Sequence, residues 1–186
     1  MNTEQADPAE LKALRAAFDV DDGESALGWE KVHAFEARHG IVLPEPYRSF
    51  VAEVTDGSYA GPPDHGLLGL GELPDDWGGE AGERDLSRPF PLVEEWLWED
   101  AEDEPDDSAL DAVFNHGSLV LGTDGCGMYW HLVVTGPHRG RIWNITDVGA
   151  APFGAEFGHT TAAGGFAGWV AHWAEAKPWF DQEAVS

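Results

Sequence analysis

Three observations predict an α+β domain with a central, antiparallel-rich sheet. Apolar residues recur at helical spacing from Leu11 to Val54 and again from Phe166 to Trp173. Between Leu119 and Thr146 the period falls to two, with glycine-bearing turns separating the runs. A chain of 186 residues is long enough to bury one sizeable core without disulfide or metal. Helices kept apart from an antiparallel sheet pack against it in layers, so a single domain of that kind is expected.

The elements follow in chain order. Asp7-Pro8-Ala9-Glu10 opens a helix: Asp7 caps free N–H groups, Pro8 suits the first helical position, and Glu10 completes a capping-box-like spacing. Leu11, Leu14 and Phe18 share a face, and the pattern breaks over Asp19 to Gly23. A second helix is predicted over about Leu27 to His39, with Trp29, Val32 and Phe35 inward and Gly40 as its stop. Pro44-Glu45-Pro46 can only open a helix. Tyr47, Phe50, Val51 and Val54 then fit the i, i+3, i+4, i+7 template, and Asp56-Gly57 ends it.

The stretch from about Asp75 to Leu86 is rich in glycine and charge and is expected to be an exposed loop. Leu119-Val120-Leu121 begins a strand that turns at Thr123-Asp124-Gly125. Met128 to Thr135 alternates, Gly136 to Gly140 forms a hairpin loop, and Arg141 to Thr146 alternates again. Three strands joined this way make a meander. Phe166, Trp169, Val170 and Trp173 form the last helical stripe, which Pro178 terminates. Aromatic stripes at this spacing are core rather than ligand boxes.

Charge narrows the possible functions. Thirty-five acidic residues against ten Lys and Arg leave a formal charge of -25. Such a field repels phosphate backbones, so neither nucleic acid nor an anionic membrane is expected as a direct partner. A basic protein would instead be attracted, with association accelerated by roughly 10–1,000-fold at low salt. The plain alternative is acidity that serves solubility alone. Met1 to Pro8 show no basic and apolar signal pattern, no apolar run reaches membrane-spanning length, and a single cysteine forms no internal disulfide. A cytoplasmic location is expected.

Catalytic motifs are sparse. Cys126 sits between two glycines in a turn, without a basic neighbour in sequence to lower its pKa. His131 lies five positions on, which places the two side chains on opposite faces of a regular strand. The eight histidines make no His-x-x-x-His pair, and no Cys-x-x-Cys or calcium-loop order occurs, so no metal or other cofactor is expected. Neither a phosphate loop nor a Gly-x-Ser-x-Gly elbow is present. No catalytic residue is therefore assigned.

The densest feature is Glu94-Glu95-Trp96-Leu97-Trp98-Glu99-Asp100-Ala101-Glu102-Asp103-Glu104-Pro105-Asp106-Asp107, nine of whose fourteen residues are carboxylates. That many acids must face water or a partner. Trp96, Trp98, Glu99, Asp100, Glu102, Asp103 and Glu104 are the predicted partner-binding residues, the tryptophans as anchors and the acids as steering charges. The competing reading is a strand end with Trp96 and Trp98 buried, Leu97 turned outward, and a solvated loop beyond.

Two segments resemble the SUKH superfamily, which includes the yeast Smi/Knr cell-wall-assembly regulators and many bacterial toxin-immunity proteins. One runs from Phe35 through Leu43-Pro44-Glu45-Pro46-Tyr47 to Asp56-Gly57; the other runs from Leu121-Gly122-Thr123-Asp124-Gly125 to Gly140-Arg141-Ile142-Trp143. The helix from Phe166 to Trp173 is similar to the family's closing helix. The resemblance implies an α+β protein-binding module without catalytic residues, laid out as an N-terminal helix and connector over 1–26, a SUKH-like domain over 27–180 with an acidic insertion at about 94–111, and a tail over 181–186. It suggests an immunity protein that occludes a basic, nuclease-type toxin domain. A regulatory scaffold of the Smi/Knr type is the alternative, and an enzyme using Cys126 with His131, or a carboxylate site, is the third reading.

Overall fold

In the computed structural model, residues 5–18, 23–78, 83–157 and 162–179 are described. Among the described residues five α-helices flank a five-stranded sheet, which makes the chain an α+β domain as the periodicity predicts. The first helix, α1 (Pro8–Ala17), starts where Asp7 accepts the Ala9 N–H at 2.7 Å. Helix α2 (Trp29–His39) ends on Gly40, whose φ of 65° is the left-handed cap that glycine adopts without strain. Helix α3 (Tyr47–Glu53) follows the Pro-Glu-Pro entry, and α5 (Phe166–Ala174) closes the domain. The expected helix break at Asp19 falls mostly outside the described residues, as do the middle of the Asp75–Leu86 loop and the 181–186 tail.

The predicted meander is present as β2 (Ser118–Gly125), β3 (Met128–Val133) and β4 (Ile142–Ile145). Two further strands extend it: β1 (Trp96–Leu97) and β5 (Gly149–Pro152). The order is β1-β5-β4-β3-β2, and every neighbouring pair is antiparallel. Strands β1 and β2 thus occupy opposite edges. The chain passes from one edge to the other through a helix the periodicity reading did not separate from the acidic insertion, α4 (Asp107–Asn115).

Both faces of the sheet are covered. On one, Leu119, Leu121, Trp130, Leu132 and Ile142 pack with Leu14, Val32, Phe50, Phe166 and Trp169 from the other four helices. Leu14 and Phe18 belong to this same core, so α1 is integral to the domain. On the opposite face Val133, Trp143, Ile145 and Ala150 meet Phe90, Trp98 and Val113 of α4. Strand β3 therefore buries even and odd residues alike, Trp130 and Leu132 towards the first layer, Val133 towards the second. Gly122 lies under the loop around Pro63: a Cβ there would sit 2.4 Å from Pro63 Cδ, so no larger residue fits.

Candidate functional site

The acidic segment leaves the sheet at the β1 edge. Trp96 pairs with Ala150 and Leu97 with Gly149, which alternates their side chains. Leu97 is 46% exposed, whereas Trp98 is 7% exposed and Trp96 is half-buried. Trp98 packs edge-on against Trp96 at 5.2 Å, contacts Phe114 of α4, and donates its Nε1–H to the Asp147 carbonyl at 2.6 Å. Trp98 is therefore a core anchor for the segment and offers no ring to a partner, a correction to its predicted role. Burying the indole while satisfying its N–H holds the segment's first turn in place.

Beyond Trp98 the backbone departs from the sheet, with Glu99 N–H donating to the Val148 carbonyl at 3.2 Å. It is recaptured at Asp106, whose carboxylate accepts the Ser108 N–H and hydroxyl, both at 2.8 Å, and so starts α4. Those hydrogen bonds hold the Asp106 carboxyl below the ordinary carboxylate range. Asp107 stands in the first turn of the helix, where its charge complements the helix dipole. The insertion is thus a short loop pinned at both ends, rather than a tail.

All nine carboxylates of the segment are exposed. Among the described residues, Glu99, Asp100, Glu102, Asp103 and Glu104 make no side-chain hydrogen bond and no ion pair. The loop therefore presents uncompensated negative charge to solvent. Chemically it can attract and hold cationic groups.

A second acidic recess was not singled out from the sequence. Glu24, Asp56 and Glu72 line a cavity of about 460 Å³ together with Lys31, Tyr59 and His65. Asp56 accepts the Leu70 N–H at 2.7 Å, and Glu24 accepts the hydroxyl of Tyr59, a residue 77% exposed. Burial, with the Glu72 and Glu24 charges, raises the Asp56 carboxyl against the opposing effect of the Leu70 amide and Lys31. In sequence Asp56-Gly57 reads only as a helix stop, because the recess assembles residues far apart in the chain.

Cys126 and His131 do not form a site. Cys126 is exposed at the β2–β3 turn, with a φ of 52°. His131 is fully buried opposite Val120 and Trp143, with Nδ1 2.9 Å from the Ser118 hydroxyl and its ring beside Trp77. Burial first, then the Arg84 charge, pushes this imidazole well below its ordinary value. A sealed, neutral histidine cannot serve an exposed thiol. Among the described residues no three His, Cys, Asp or Glu side chains converge to hold a metal, and no helix is long and apolar enough to cross a membrane.

No curated protein and no solved structure matches the chain. The model of the SMI1 / KNR4 family (SUKH-1) does match, over residues 29–162, from the start of α2 past β5. That span takes in the pinned loop, the whole sheet and the Asp56 and Glu72 side of the second acidic recess, though not Glu24, and covers well over half of the sequence; the chain belongs to the SMI1 / KNR4 family (SUKH-1).

Proposed function

We propose that this protein is a non-enzymatic, cytoplasmic binding module of the immunity type, whose acidic loop covers a basic surface on a partner such as a nuclease-type toxin domain. The observation that carries this reading is the set of five unpaired, exposed carboxylates at Glu99, Asp100, Glu102, Asp103 and Glu104. Steering by such a cluster raises the encounter rate, and contact with Lys or Arg then supplies the missing counter-charge. Pinning by Trp98 and Asp106 restricts the loop before binding, which lowers the ordering cost of association.

The loop alone is smaller than a stable interface, which buries about 1,600 Å² in total. Exposed Leu97 and half-buried Trp96 adjoin it and extend the surface. The mechanism is occlusion with charge complementarity, and it requires no reacting group.

Affinity capture from the native host tests this reading. The intact protein should retain a partner with a basic contact surface. A variant with Ser at positions 99, 100, 102 and 103 should release it. Equal retention by both proteins, or a partner that is acidic where it touches, would refute the proposal. Family membership also favours a second reading, a regulatory scaffold with a cellular partner. A captured partner that is toxic when produced alone supports immunity, and a harmless one supports the scaffold.

A further inference from the structure

Of the ten Lys and Arg in this acidic chain, three line one cavity. It has a volume of about 440 Å³ and is bounded by Arg38, His39, Arg84, Arg88 and His116. It lies at the C-terminal end of α4, the opposite end of that helix from the acidic loop.

Arg84 is its innermost cation. Nη1 donates to the Phe114 carbonyl at 2.8 Å, Nη2 donates to the Ser118 carbonyl, and the guanidinium lies 5.3 Å from the Trp77 ring centroid. Capping the carbonyl end of α4 is a sufficient structural role for two of its nitrogens. It does not supply a counter-charge. Burial holds the guanidinium down to about 10, and among the described residues no carboxylate pairs with it. A cation removed from water without a partner is costly.

Of its neighbours, Arg38 shares the lack of a counter-charge and Arg88 does not. Arg38 makes no ion pair among the described residues. His39 feels burial first and then the charges of Arg38 and Arg84, all of which lower its pKa and leave a neutral ring with an N–H to donate. Arg88 is 3.5 Å from Asp85, whose carboxylate also accepts the N–H and hydroxyl of Ser87. Glu83 and Asp85 also line the cavity and oppose its positive charge.

We propose that this cavity binds a small phosphate-bearing anion. Planar guanidinium forks match phosphate oxygens, and two forks with an imidazole N–H suit a group with three free oxygens better than a carboxylate with two. The volume falls within the range of small-molecule sites and exceeds what a bare ion fills. The long-range field of the protein repels anions, so binding must rest on these short-range contacts. This inference is independent of the acidic loop and of its partner.

Calorimetric titration of the full chain with pyrophosphate, at constant ionic strength and pH 7.5, tests it. Saturable binding at one site is expected. Arg38→Gln, alone and with Arg88→Gln, should weaken it by about tenfold or more, the loss of a charge-assisted hydrogen bond. Both positions are at the surface, and an unchanged thermal transition verifies that the variants fold. Glu83→Gln should tighten binding. Heats no larger than those with sodium chloride, or an affinity the arginine substitutions leave unchanged, would overturn the site. Citrate binding as tightly as pyrophosphate would overturn its assignment to phosphate.

Discussion

Arg48→Met tests how α2 is fastened to α3. Glu36 lies on the inward side of α2, a carboxylate among apolar neighbours. Its Oε1 accepts from Arg48 Nε at 2.7 Å and from the Leu43 N–H at 2.9 Å, while Oε2 accepts from Arg48 Nη2 at 3.0 Å. The two side chains are only 11% and 8% exposed. Methionine keeps much of the apolar stem and removes the fork, leaving a charge with one backbone donor in a site largely shielded from water. Breaking a buried pair from one side costs about 3–5 kcal/mol. Each kcal/mol lowers the midpoint of a domain this size by about 2–4 °C, so a fall of roughly 6–20 °C is expected. Urea unfolding followed by tryptophan fluorescence, with calorimetry for the midpoint, measures both. Glu36→Gln added to Arg48→Met should cost less than the sum of the single changes, because the stranded charge is gone. A loss below about 1 kcal/mol for Arg48→Met would refute the reasoning.

Three further outcomes follow from the same structure. Because burial lowers the His131 pKa in the folded state, the unfolded chain takes up a proton first as pH falls below about 6.5. Stability from this group is complete above that pH and declines by about 1.4 kcal/mol per unit below it. Urea titrations of the native protein and of His131→Asn should diverge in slope between pH 7 and 5.5, and parallel curves would contradict the account. Gly122→Ala should cost about 1–3 kcal/mol, because its Cβ would meet Pro63 Cδ at 2.4 Å and the Gly66 carbonyl at 2.6 Å; a change under about 0.5 kcal/mol in the same assay would show that the loop yields. Cys126→Ser should change stability by less than about 0.5 kcal/mol, and the native thiol should react fully with a disulfide reagent without denaturant. A thiol that reacts only after unfolding would refute its exposed placement.

The elements legible in the sequence are those whose own side chains decide them. Asp7, Gly40 and Pro44 mark helix ends through backbone chemistry that acts locally, and α1, α2 and α3 lie where those marks place them, as α5 lies where its aromatic stripe does. Strand β5 reads Gly-Ala-Ala-Pro, with neither β-branched residues nor alternation; pairing with β4 and β1 makes it a strand. Strand β1 is two residues long and equally dependent on its neighbour. Helix α4 did carry a signal, with Asp106 as cap and Leu110, Val113 and Phe114 at helical spacing, but the density of charge obscured it. Alternation in β3 failed to distinguish a solvent face because both faces are buried.

At the candidate site, the exposure of the acids was legible because so many carboxylates cannot be buried. The separation of Trp96 from Trp98 was not, since it depends on α4 and on the Asp147 carbonyl. The second acidic recess and the arginine cavity assemble residues distant in sequence, and local pattern has no access to them.

The central claim is that exposed negative charge on the loop draws in a cationic protein. Stopped-flow association of the captured partner, across a range of salt concentrations, tests it most directly. The intact protein should bind fastest at low salt and slow steadily as salt rises. The variant with Ser at positions 99, 100, 102 and 103 should associate at least about tenfold more slowly at low salt, with a flatter salt dependence. Identical rates for the two proteins at every salt concentration would contradict the account.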